Sequence, residues 1–138
     1  MPFVKYVNPA ATADIILEND SGEVLLIRRG EEPYVGKWAL PGGHIEYGVE
    51  TLEECVAREL KEETDVEVEV DDLTLLDNYS KPGRDPRGHY ITHVYFAKKF
   101  KGIPKANDDA MDARWWSLSD LPELAFDHAD ILRDYRAR

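Results

Sequence analysis

Residues 51–64 carry the first clear helical signal in the chain, and shorter stretches with the composition of strands flank it on both sides. Leu52, Val56 and Leu60 fall on one stripe when each residue advances about 100° around the axis. Thr51, with Glu54 three residues on, is a capping-box signal for the start. Residues 13–18 and 23–28 are predicted as strands around the turn cluster Asn19-Asp20-Ser21-Gly22, which suggests a hairpin. Residues 66–79 are predicted as strand from the alternation Val66-Glu67-Val68-Glu69-Val70, and residues 89–100 from their aromatic and β-branched content. Residues 80–88 hold two prolines and two glycines and must be a loop. Lys101 to Asp112 is expected as a polar loop, residues 114–118 as a short strand and residues 127–137 as a C-terminal helix. Strands on both sides of a central helix, with a second helix at the end, predict an α+β or α/β sandwich with a mixed sheet.

The same helix is unusually acidic. Glu50, Glu53, Glu54, Glu59, Glu62, Glu63 and Asp65 are set against two bases, Arg58 and Lys61. A solvated acidic face would lie opposite the apolar stripe, where Glu54 and Lys61 do lie. Glu59 and Glu63 instead project onto or beside the stripe, and Glu62 sits at its border. Like charges at this spacing repel, and partial burial raises the cost. Arg58 and Lys61 are expected to point elsewhere. Either a hard divalent cation held by oxygen ligands or a structural salt-bridge cluster answers the pattern. Upstream, Pro41-Gly42-Gly43 is expected as a turn where backbone approaches a ligand closely.

The 138 residues fit one domain, expected to span 1–138. A formal net charge of −11 argues against nucleic acid or an anionic membrane as the main partner. It leaves room for an anionic substrate, because a bound cation inverts the local field. The single cysteine, Cys55, allows no disulfide within the chain. Met1 to Lys5 lack the apolar core of a signal peptide, and no apolar run approaches the roughly 18 residues of a membrane span. These features give the expectation of a cytoplasmic protein.

Residues 43–66 also resemble the Nudix box, G-x5-E-x7-R-E-U-x-E-E-x-G-U, where U is a bulky aliphatic residue. Glu50, Arg58-Glu59-Leu60, Glu62-Glu63 and Val66 match in register, behind the flank Lys37-Trp38-Ala39-Leu40-Pro41-Gly42-Gly43. One additional residue lies near Gly48-Val49, and Asp65 stands where the family has glycine. The resemblance implies a Nudix-like α/β/α sandwich acting as a pyrophosphohydrolase with Mg²⁺, Mn²⁺ being the alternative ion. It implies that Glu59, Glu62 and Glu63, with the carbonyl of Gly42, hold the metal, and that Arg58 pairs with Glu50 to brace the helix. Water would attack a pyrophosphate phosphorus.

Arg84-Asp85-Pro86-Arg87-Gly88, Asn107-Asp108-Asp109-Ala110, Arg114-Trp115 and Phe126-Asp127-His128-Ala129 resemble the ADP-ribose pyrophosphatase branch, which implies AMP and ribose 5-phosphate as products. A nucleoside triphosphate pyrophosphohydrolase and a non-catalytic nucleotide sensor are the competing readings. The sensor fits poorly, because the three glutamates are intact and no spare length is left for a DNA-binding segment. Candidates for the general base are Asp108 and Asp109 on a loop and Glu59 in the box. Arg84 and Arg87 are candidate phosphate or ribose contacts, with a surface loop paired to Asp85 as the alternative, and Arg29 is a further phosphate candidate. Trp38 is a candidate for stacking an adenine ring, with core packing as its alternative. The partner expected is a small nucleotide, and the resemblance implies a homodimer.

Overall fold

The computed structural model describes residues 6–138. The leader reading at Met1–Lys5 lies outside the described residues. Seven strands and two α-helices follow in the order β1 Ala10–Leu17, β2 Glu23–Arg29, β3 Trp38–Ala39, β4 Gly42–His44, α1 Leu52–Thr64, β5 Thr74–Tyr79, β6 Tyr90–Ala97, β7 Ala110–Ser117 and α2 His128–Ala137. One sheet runs β4-β1-β6-β5 and the other β3-β2-β7. The β1–β6 pair is parallel and its neighbours are antiparallel, so the larger sheet is mixed, as expected. No helix among the described residues is long and apolar enough to cross a membrane.

The side-chain alternation of β1 divides the core in two. Ala13, Ile15 and Leu17 point to the side of α1, where they meet Cys55, Val56 and Leu60. Ile16 points to the other side, joining Val94 and the α2 residues Ile131, Leu132 and Tyr135. β2 is divided likewise, with Leu25 in the first cluster and Val24 and Leu26 in the second. Both strands are covered on two faces, hence their near-continuous apolar runs.

That double coverage overturns the expected hairpin. β1 sits between β4 and β6, while β2 sits between β3 and β7 in the other sheet. Among the described residues they are joined by the isolated bridge Glu18–Val24 and by the turn bond from the Asn19 N–H to the Glu23 carbonyl. The alternation at 66–70 also fails as a strand. Val66 and Val68 turn inward onto the first cluster, yet only Glu67 bridges, to Lys101, and Val70–Asp72 form a 3₁₀ turn. Pairing begins at Thr74. β7 is longer than predicted and starts at Ala110, because β2 offers it a partner along its whole length. Trp115 and Trp116 point to opposite clusters.

α1 follows its sequence signal closely. Thr51 accepts from the Glu54 N–H at 3.1 Å, and Glu54 accepts from the Thr51 N–H at 2.9 Å. The helix ends at Asp65, which adopts φ 64°, a left-handed conformation that usually calls for glycine or asparagine. Lys105 pairs with its carboxylate at 3.0 Å.

Candidate functional site

The site is a cleft bounded on one side by β4 and α1 and on the other by the loops before β6 and α2. Gly42 and Gly43 are strand residues, not the expected turn. Their glycine requirement comes from close approach. A β-carbon on Gly42 would lie 2.3 Å from the Ala13 carbonyl oxygen, and one on Gly43 would lie 2.5 Å from the Glu59 carboxyl carbon. The bare backbone of β4 lets the acidic face of α1 press directly onto the sheet edge.

Three glutamates come to this edge in different ways. Glu63 accepts from the outward Gly42 N–H at 2.9 Å. Its pKa is raised well above the carboxylate range, first by burial and then by Glu59 and Asp14, against the lowering from Gly42. Glu59 is pushed up to about 7 by burial, against the pull of Arg58, with Glu62 and Asp108 adding to the rise. Glu62 is the most open of the three, its side chain 44% exposed. Among the described residues no three acidic or imidazole side chains already converge as a ready set of metal ligands.

Arg58 corrects an expectation. It does not point away from the acids but sits among them, 3.0 Å from Glu59 and 3.1 Å from Glu62. It also binds Glu50 through two nitrogens, at 2.7 and 3.0 Å, and the His44 carbonyl at 3.1 Å. A long side chain one turn before Glu62 reaches back over its own helix. The pairing of Arg58 with Glu50 therefore forms despite the added residue. Gly48 absorbs that residue at φ 74°, and Glu50 accepts from the Glu46 N–H at 2.9 Å. These bonds hold the Glu50 carboxyl down to about 2.

The opposite wall is basic. Arg29, Arg84 and Arg87 all line the cleft. Arg84 is nearly buried and forms a two-bonded pair with Asp127, not with its neighbour Asp85. Arg87 takes Asp85 instead and lies over the Tyr90 and Phe126 rings. Arg29 donates from Nε to the Pro33 carbonyl and stacks on Phe126, and it makes no ion pair with a carboxylate among the described residues. Asp108 reaches the cleft from the loop before β7 with φ 53°. That loop is tied to α1, because Asn107 N–H bonds the Glu63 carbonyl at 2.9 Å and Lys105 N–H bonds Thr64 at 3.0 Å.

Trp38 is the predicted residue that the structure places elsewhere. It packs in the second core cluster with its ring 5.1 Å from Trp116 and does not line the cleft. β3 pairs with β2 on one edge and meets Leu124 on the other, so the indole packs, partly buried, against that cluster, while its neighbours Ala39 and Leu40 face the cleft.

Asp14, Phe126 and His128 line the cleft without any role assigned to them from the sequence, and Thr92 lies buried behind Asp14. Asp14 stands on β1 and accepts from the Thr92 hydroxyl. No motif marks a single aspartate within an apolar strand, although its buried position in a run of Ile and Ala was itself an anomaly.

Comparison with known proteins agrees with this geometry. The family description NUDIX domain matches residues 8–135. The chain is 48% identical over 130 residues to an ADP-ribose pyrophosphatase of Methanocaldococcus jannaschii, covering 94% of this chain and 75% of that protein. It is 34% identical to an ADPR responsive transcriptional repressor of Acinetobacter baylyi, covering 96% of this chain but only 55% of the repressor. The NUDIX domain of the Shewanella oneidensis repressor NrtR, solved with ADP ribose, superposes with a TM-score of 0.87 at 31% identity, over 96% of this chain and 90% of that one. The chain belongs to the Nudix hydrolase family, with its likeness running to the ADP-ribose pyrophosphatase branch, and is a pyrophosphohydrolase.

Proposed function

We propose that the protein hydrolyses the pyrophosphate of ADP-ribose to AMP and ribose 5-phosphate with Mg²⁺. The observation that carries this reading is the division of the cleft. Buried carboxylates in excess of their cationic partners face arginines across one cavity. A hard divalent cation answers the first wall and a pyrophosphate answers the second. The likeness to the archaeal ADP-ribose pyrophosphatase supports the substrate.

The donor set fits the ion. Glu59, Glu62 and Glu63 are oxygen donors, and burial first raises the pKa values of Glu59 and Glu63, a penalty on their charged forms that Arg58 offsets only at Glu59 and that a bound cation would relieve. These three, with the Gly42 carbonyl, would hold it. Bound there, the ion would polarise the phosphoryl oxygens and ease loss of a proton from water. Arg58 keeps the acids gathered while Glu50 anchors Arg58. Arg29 binds the pyrophosphate most directly, because its charge is the least committed of the three arginines. Arg84 and Arg87 shape the same wall. Asp108, close enough to raise the Glu59 pKa, takes the proton of the attacking water.

The test incubates the protein with ADP-ribose, nucleoside triphosphates and dinucleoside polyphosphates, with and without Mg²⁺. Release of ribose 5-phosphate only with the ion is expected. Pyrophosphate release from triphosphates at a higher kcat/KM would replace ADP-ribose as the substrate.

A further inference from the structure

The acids and arginines leave a third part of the cleft unexplained, its floor. Asp14 shares the β1 face of Ile16, away from α1, and the parallel register brings Thr92 of β6 beside it. His128 opens α2 directly opposite, with only 3% of its surface exposed. The Leu40 N–H donates to its Nδ1 at 3.0 Å. Nδ1 is therefore the acceptor, and the ring hydrogen sits on Nε2. Burial, with Arg84 and Arg29 nearby, holds the imidazole down to about 3, so it stays neutral.

Nε2 has no hydrogen-bond partner among the described residues. It faces Asp14 Oδ2 at 3.9 Å, beyond hydrogen-bond reach. That oxygen already accepts from Thr92, and Asp14 Oδ1 receives no hydrogen bond from the described residues. Burial pushes the Asp14 carboxyl up to about 6. A donor and an acceptor, each about nine-tenths buried, thus stand a few ångström apart in the cleft without meeting.

Their spacing and polarity select the occupant. A phosphate oxygen could accept from Nε2 but would lie against the carboxylate. An ammonium could satisfy Asp14 but would oppose the Nε2–H. A hydroxyl does both, accepting from the imidazole and donating to the carboxylate. We propose that Asp14 and His128 form a hydroxyl-reading subsite for a ribosyl group of the substrate. This builds on the nucleotide-sugar reading above. Arg29 and Arg84, beside the pair, keep the attached phosphate at hand.

The experiment measures binding in chelator, apart from turnover. Calorimetric titrations compare AMP with 2′-deoxy-AMP and 3′-deoxy-AMP, and ribose 5-phosphate with its 2-deoxy and 3-deoxy forms. The wild-type protein is expected to prefer one hydroxylated ligand over its deoxy counterpart by about tenfold or more. His128→Asn retains an acceptor for the Leu40 N–H while removing the Nε2 donor, and Asp14→Asn removes the carboxylate at constant size. Each is expected to bring that preference close to unity. Equal wild-type affinities within every set, or a preference that folded variants retain, overturn the subsite. ADP-ribose hydrolysis is followed in parallel. A hydroxyl preference without hydrolysis removes ADP-ribose as the substrate and leaves the subsite standing, whereas hydrolysis without a preference does the reverse.

Discussion

At the scale of single residues, the cleft separates groups that serve an ion from groups that serve the fold. Glu63 lies in the last turn of α1, accepts from one backbone N–H and belongs to neither core cluster. Glu63→Gln is therefore expected to keep the melting temperature of the wild type while lowering Mg²⁺-dependent turnover by about 100-fold or more, since changes to the partners of metal ligands already cost about 10–100-fold. Steady-state kinetics beside a thermal melt checks both halves. The arginines divide similarly. Arg29→Ala is expected to raise KM for ADP-ribose more than Arg87→Ala does, because Arg87 is already held by Asp85 and Arg29 has no carboxylate partner among the described residues. Equal rises in KM would mean that the ion pair does not restrain Arg87.

At the scale of elements, α1 and β4 work as one device. The helix is placed by Val56 and Leu60, each worth about 1.5–3 kcal/mol of burial, and its acids are aimed by Arg58. Removing Arg58 leaves Glu50, whose side chain is only 8% exposed, without its cation. Arg58→Ala is expected to cost about 2–3 kcal/mol in urea unfolding, below the 3–5 kcal/mol of a fully buried pair because the guanidinium is partly open to water. It should also reduce turnover, whereas Thr51→Ala, which loses only the cap, should cost about 1 kcal/mol and leave KM unchanged. The helix was legible in the sequence because its cap, stripe and acids are all local. The strands were legible as segments, but their partners were not. β1 and β2 look like a hairpin because a turn joins them, yet each prefers burial between two other strands, and that choice is made by residues far along the chain.

At the scale of the whole molecule, charge and burial are in tension, and pH exposes it. Asp14 titrates near 6 in the fold against an ordinary 3.8, and Glu59 near 7 against 4.5. Their contribution to stability is full below the ordinary values and is lost as pH rises through the raised ones. Glu50 is opposite: near 2 against 4.5, its contribution is present above 4.5 and is lost as pH falls toward 2. In chelator, the melting temperature is expected to fall from pH 5 to 8 and again below pH 4. Asp14→Asn should make the first fall shallower. A flat profile from pH 5 to 8 would show that these carboxylates are better solvated than their burial implies. The floor of the cleft was the part least open to sequence reasoning. Asp14, Thr92 and His128 come from three distant elements, so no spacing relates them. Trp38 was misassigned for the converse reason: an aromatic beside a glycine pair looks available until the pairing of β3 turns it inward.

The ties from Lys105 and Asn107 to the end of α1 have one last consequence. They stitch the strip bearing Asp108 onto the same turn that bears Glu63. The backbones that carry the two acids are thus joined, so their spacing across the mouth is set by the fold of α1 as much as by the loop itself.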